Sequence, residues 1–233
     1  MPRLRSVWTQ WCAAVGVTLL LSGCAVRFSQ RSPWDVQQIQ ALSEQLDQFR
    51  NLAQLKAEEA DQLRAARELL EKRLSSEIAS KDVDVGFDER GLVVRVVDRV
   101  LFDSGKAKLR REALPVLDKV ARVLNEDLPD QPVGIEGYTD NQPIKFSGWK
   151  DNGELSLARA RSVLGYLVEK RSVDSVRIAP NGHGEGDPIA PNDTVAGRQR
   201  NRRVEIVVLP QGRSAAQGSR SVGDVDDVTA YSK

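Results

Sequence analysis

The sequence predicts an α+β chain: a small mixed sheet with two helices packed on one face, preceded by one long helix carrying a coiled-coil repeat. Three observations lead there. Between Trp34 and Asp82 there is no glycine or proline, and apolar residues recur at heptad spacing. From Val83 the apolar period shortens to that of strands. Beyond the first two strands, the order helix, strand, helix, strand, strand is one that lays helices against a sheet.

The chain opens MPRLRSVWTQWCAAVGVTLLLSGCAV. Arg3 and Arg5 form a positive leading region, and Trp11 to Leu21 is a largely apolar run of eleven residues. A membrane span needs ~20 apolar residues, so this run has the size of an export signal's core. Small residues Ser22 and Gly23 lead into Cys24, which places the signal over residues 1–23. Once Cys12 leaves with it, Cys24 stands alone, and disulfide, thiolate-nucleophile and metal-cluster chemistry have no cysteines to use. The 34 basic and 33 acidic residues balance. No global basic field calls for nucleic acid.

Residues 24–33 read as a short polar linker and 34–82 as the helical stalk. Placing Ile39, Leu46, Ala53, Ala60, Arg67 and Leu74 at a sets Leu42, Phe49, Lys56, Leu63, Leu70 and Glu77 at d. Nine of these twelve are apolar, which predicts a homo-oligomeric coiled coil with Leu63, Leu70 and Leu74 as its firmest part. The alternative is a single helix, rich in Ala, Glu, Lys and Arg, serving as a spacer.

Residues 83–210 carry the mixed sheet. VDVGF and LVVRVV read as two strands around DERG, with Gly91 placed to accept positive φ. LFDSGKAKL is a polar loop. Glu112 to Asn125 is helical, provided that Pro115 lies in the first turn, where its missing N–H costs nothing. PVGIEGY is a strand, and Asp151 with Glu154 has the spacing of a capping box opening a helix over 153–170. VRIAP and NRRVEIVVL complete the strands. The tail 211–233, rich in Gly, Ser and Asp, is expected to be disordered.

Enzymatic signals are sparse, and no enzyme, cofactor or metal is expected. The lone His183, in NGHGEGDP, has no second histidine or cysteine to share a metal, so a packing role at a strand end is the simpler reading. Gly182, Gly184 and Gly186 are followed by Asp187-Pro188 rather than a helix start, so the context of a dinucleotide loop fails. Arg198, Arg200, Arg202 and Arg203 are read as solvated charge and salt bridges leading into the last strand.

Several motifs in order carry a family resemblance: LFDSGKAKLRREALPVLDKVARVL, GYTDN, NGELSLARA, GHGEGDPIAPND and GRQRNRRVEI. Together they resemble the OmpA-like C-terminal domain, over roughly residues 83–210. That family comprises non-covalent peptidoglycan binders found in outer-membrane proteins, Pal-type lipoproteins and the flagellar stator protein MotB. The resemblance implies a β-α-β-α-β sandwich whose ligand is the diaminopimelate of the peptide stem. An aspartate of the T-D-N motif and an arginine of the L-S-x-x-R motif would grip it: here Asp140, after Thr139, and Arg159. The family's Asn and Leu at the helix start fall on Asn152 and Leu155, and its Phe-Asp pair on Phe102 and Asp103. Diaminopimelate ends in a zwitterion, so Asp140 is expected to take the ammonium and Arg159 the carboxylate, both in a solvent-open pocket. Gln142-Pro143 stands where Pal-type members usually carry a glycine-containing loop, wording closer to MotB.

Leu21-Ser22-Gly23-Cys24 resembles the bacterial lipobox, which implies that Cys24 is acylated and anchors the chain to a membrane. Ala25 follows it, where an aspartate usually signals inner-membrane retention. The outer membrane, facing the periplasm, is therefore expected, with peptidoglycan as partner. A stator protein needs an acid-bearing membrane span, which Trp11 to Leu21 does not supply. A wall-anchoring subunit of a motor or secretion complex is accordingly the second reading, and a wall hydrolase the third.

Overall fold

Alternation sets the sheet. In strands β1 (Val83–Asp88), β2 (Gly91–Val97), β3 (Val133–Tyr138), β4 (Ile178–Gly182) and β5 (Arg203–Val208), every second side chain faces the same side. Val83, Val85, Leu92, Val94, Val96, Val133, Ile135, Val204, Ile206 and Val208 thereby join one buried cluster. The strand order is β1-β2-β5-β3-β4, with β3 and β4 parallel and the other neighbours antiparallel. The last strand in sequence is thus the middle one in space. The computed structural model describes residues 33–144 and 148–213. The signal 1–23, Cys24, the linker up to Ser32 and the tail beyond Arg213 lie outside the described residues.

The helices, in chain order, are α1 (Pro33–Arg73), α2 (Ser75–Ala79), α3 (Asp98–Leu101), α4 (Leu114–Glu126), α5 (Asn152–Arg171) and α6 (Val195–Asn201). Helix α4 follows a 3-10 turn, Arg111–Ala113, and carries Pro115 in its first turn as expected. Val116, Leu117, Val120, Val123 and Leu124 of α4, with Ala160, Val163 and Leu167 of α5, enter the same cluster as the strand residues. Both helices therefore cover one face, and the fold is the expected α+β arrangement. The short helices α3 and α6 were not legible: four and seven residues are too few to show a period.

The chain divides into two compact units, residues 1–53 and 54–233. In the first, Ile39, Leu42, Leu46 and Phe49 lie exposed along a helix. In the second, the heptad reading needs correcting. Leu63, Leu70 and Leu74 are not a free seam; with Ala66 they are buried in the domain's own core beside Val83 and Val85. A 3–4 apolar spacing suits a partner helix and the chain's own sheet equally well. The helix also stops at Arg73 rather than running to Asp82. Leu74 leaves helical geometry (φ −104°, ψ 17°), α2 adds one turn, and Lys81 at φ 60° reverses the chain into β1. Among the described residues no helix is long and apolar enough to cross a membrane.

The other face of the sheet is largely buried and joins a small apolar cluster, Val93, Val207 and Leu209, to a set of charged side chains. Arg203 and Arg95 donate to Glu205 at 2.7 and 3.1 Å, and Arg90 pairs with the same carboxylate. Burial opposes ionisation of Glu205, but these guanidiniums prevail and hold it below the usual carboxylate range. The Arg203 guanidinium lies 3.7 Å from the centre of the Tyr138 ring, and His183 stacks on that ring at 4.6 Å while pairing with Glu136. His183 therefore packs at the end of β4, the role read from the sequence.

Candidate ligand-binding groove

Two glycines bring the site together. Gly137 of β3 pairs in register with Gly182 of β4, and the first turns of α5 cross directly over them. A Cβ on Gly137 would lie 2.1 Å from the Ser156 carbonyl oxygen, and one on Gly182 would lie 2.6 Å from the Leu157 nitrogen. Bare backbone is thus required for α5 to begin at this sheet edge. Ser156 Oγ fastens the junction, accepting from Gly184 N at 2.9 Å and donating to the Gly153 carbonyl at 2.8 Å. At the helix start, Asp151 accepts from Glu154 N at 2.9 Å. Glu154 returns to Lys150 N at 2.6 Å, one residue earlier than a capping box would have it.

With α5 so placed, Asn152, Leu155 and Arg159, spaced three and four apart, face one groove. The end of β3 supplies Thr139, whose N–H donates to the Gly184 carbonyl at 2.7 Å, and Asp140. The segment after α3 supplies Phe102 and Asp103. All seven residues named from the sequence line this single groove of about 1200 Å³. Asn152 Nδ2 donates to the carbonyls of Asp140 and Gln142 at 3.3 and 3.2 Å, tying the loop to the helix. Phe102 is buried, with the Arg159 guanidinium 5.4 Å from its ring centre.

The charges are arranged differently from expectation. Asp140 and Arg159 are only 6% and 2% exposed, not solvent-open, and each has a partner within the chain. Arg159 pairs with Asp98 at 3.0 Å and donates through Nε to the Lys106 carbonyl at 3.1 Å. Asp140 pairs with Arg202 and accepts from Gln142 N at 3.2 Å. The groove floor is therefore two acid–base pairs, Asp98–Arg159 and Asp140–Arg202. Sequence reasoning missed Asp98 and Arg202. Arg202 was visible only as one of a run of arginines, and Asp98 as the polar residue closing an apolar strand.

The pairs are not fully compensated. Asp98 Oδ1 is buried and has no hydrogen-bond partner among the described residues. Burial pushes the Asp98 carboxyl up to about 6, with Asp140 adding and Arg159 and Arg202 opposing. Burial likewise pulls the Arg159 guanidinium below its usual range, despite Asp98 beside it. Desolvation outweighs attraction on both partners, the condition in which a buried pair adds little to stability.

Residues 101–202 match the OmpA family, a stretch that begins just after Asp98 and ends on Arg202. The C-terminal domain belongs to the OmpA family. Motility protein B of Bacillus subtilis is 34% identical over 67% of this chain and 60% of its own length. The probable lipoprotein YiaD of Escherichia coli is 36% identical over 60% of this chain and 61% of its own. The alignments thus span about three-fifths of each of these relatives. Among solved structures, the cell wall anchor of the T6SS from Pseudomonas aeruginosa superposes with a TM-score of 0.55 and 33% identity, over 61% of this chain and 97% of that one.

Proposed function

We propose that this protein is an outer-membrane lipoprotein that binds peptidoglycan without a covalent bond and tethers the membrane to the wall from the periplasmic side. The observation that carries the reading is the groove floor, where two carboxylates and two guanidiniums line one opening as two ion pairs. A zwitterion such as the end of diaminopimelate can exchange into such an array without leaving net charge buried. Its ammonium takes Asp140 in place of Arg202, and its carboxylate joins Arg159 and Arg202. The first N–H groups of α5 stand at the same opening and add donors. Leu21 to Cys24, with the resemblance to YiaD, supports acylation of Cys24 as the anchor.

The decisive measurement is a pull-down with purified sacculi. Asp140→Ala and Arg159→Ala should each weaken binding about 10- to 100-fold, since charge-assisted bonds contribute ~1.5–3 kcal/mol. Because Arg159 is buried against Asp98, its variant will also melt lower, so binding is compared where circular dichroism shows both folded. Wall carrying lysine in place of diaminopimelate lacks the carboxylate and should bind weakly. Equal binding to both wall types would defeat the proposal.

The similarity to motility protein B and to a cell wall anchor of a secretion system favours a second reading, a wall-anchoring subunit of a motor or secretion complex. Co-purification with an integral-membrane complex, lost on deleting residues 35–53, would select it. That deletion spares Leu63, Leu70 and Leu74, which the domain needs for its own core. Homo-oligomerisation, in either reading, is assigned to the exposed Ile39, Leu42, Leu46 and Phe49.

A further inference from the structure

The groove holds more positive charge than a zwitterion can use. Besides the two floor pairs, its lining includes Lys81, Arg99, Lys106, Arg110 and Arg200. Three of these are committed to acids of the chain. Arg99 donates to Asp82 at 2.7 Å, Lys106 to Asp103 at 3.2 Å, and Arg110 lies 3.5 Å from Glu112 and 4.0 Å from Asp103. Lys81 and Arg200 are exposed, and no hydrogen bond or ion pair engages either side chain among the described residues. They come from separate elements, the turn into β1 and helix α6, and are brought to one groove only by the fold. Lys81 sits at φ 60°, a backbone state that a non-glycine residue adopts at a cost.

We propose that Lys81 and Arg200 form a second anionic subsite, which takes a free carboxylate of the ligand one residue away from its zwitterionic end. In a peptide stem, that group is the α-carboxylate of the γ-linked glutamate preceding diaminopimelate. The subsite would distinguish stems with this carboxylate free from stems in which it is amidated. A diaminopimelate end is neutral overall and satisfies the floor pairs alone; an additional carboxylate is what two uncompensated cations would recognise. The inference rests on the proposed ligand and adds its charge state.

The test uses the full chain and three probes: free meso-diaminopimelate, the tripeptide L-Ala-γ-D-Glu-meso-diaminopimelate, and the same tripeptide with the glutamate α-carboxylate amidated. An exposed charge pair changes affinity about 1.5- to 5-fold, so the free tripeptide should bind about 3- to 10-fold more tightly than the amidated one at low salt. In the double variant Lys81→Gln, Arg200→Gln the two peptides should bind alike, with diaminopimelate unaffected. Glutamine at position 81 bears the same backbone cost as lysine, so the change is one of charge. Raising salt from about 0.05 to about 0.5 M should shrink the preference, because exposed charges are screened. Equal binding of both tripeptides by the unmodified chain, with diaminopimelate still bound and still lost in Arg159→Ala, would overturn the subsite and leave the proposed function standing. Failure of all three probes to bind would overturn both.

Discussion

Acidification should stabilise this protein before it destabilises it, and Asp98 is the reason. Its carboxyl is raised from 3.8 to about 6 in the fold, chiefly by burial, while Arg159, Arg202 and Asp140 act on it from neighbouring elements. The folded state therefore binds this proton more readily than the unfolded chain does. Stability attributable to Asp98 is lowest above pH 6 and rises as pH falls through 6 towards 3.8. The full difference is roughly 3 kcal/mol, at about 1.4 kcal/mol per pKa unit. Of this, about 1.3 kcal/mol should be gained between pH 7 and pH 5. Carboxylates held below their usual range, such as Asp88 and Glu205, act in the opposite sense, losing stability as pH falls through the acid region below pH 5. Urea unfolding at pH 7, 6 and 5 measures the gain, with Asp98→Asn as control. That variant places a neutral group where the protonated carboxyl would be, so it should be no less stable than the parent at pH 7 and should show no gain from this position on acidification. Groups other than Asp98 are common to both proteins and cancel in the comparison. The same pH dependence in the parent and in Asp98→Asn would refute the argument.

Leu70, 1% exposed within the core, should cost about 2–5 kcal/mol when changed to alanine, whereas Leu46→Ala, at a position 52% exposed, should change the stability of the folded chain by less than about 0.5 kcal/mol. Light scattering on the same two variants places the seam: Leu46→Ala should lower any self-association, and an effect confined to Leu70→Ala would contradict the assignment. Gly137→Ala should destabilise the fold by about 1–3 kcal/mol or more, because its Cβ meets backbone at Ser156 rather than a movable side chain. It should weaken sacculus binding as well, by displacing the start of α5; a variant with the parent's urea midpoint would mean that the helix does not need this approach.

The strands and the two long helices of the sheet domain were legible because each is long enough to display its period. The β-branched runs LVVRVV and RVEIVV mark strands, and the spacing from Val116 to Leu124 marks a helix. The groove residues were legible through motifs: Thr139, Asp140, Asn152, Leu155, Arg159, Phe102 and Asp103 all reach one opening. What the local pattern could not assign was partnership. Leu63, Leu70 and Leu74 have the spacing of a coiled coil, yet they face their own sheet. Gly182 looked like part of a glycine-rich loop, but its lack of a side chain serves the crossing of α5.

By itself the sequence determined which longer segments are strand or helix and which motif residues line the groove, since periodicity and motif spacing are local properties. Only the tertiary structure decided that β5 lies between β2 and β3, and so that Asp98 and Arg202 come to the same floor, the Asp98 N–H donating to the Arg202 carbonyl at 3.0 Å. The pairing of Asp98 with Arg159 and of Asp140 with Arg202 joins residues from different elements. Charge interactions depend on distance and burial in space, and neither is written in the spacing of residues along the chain.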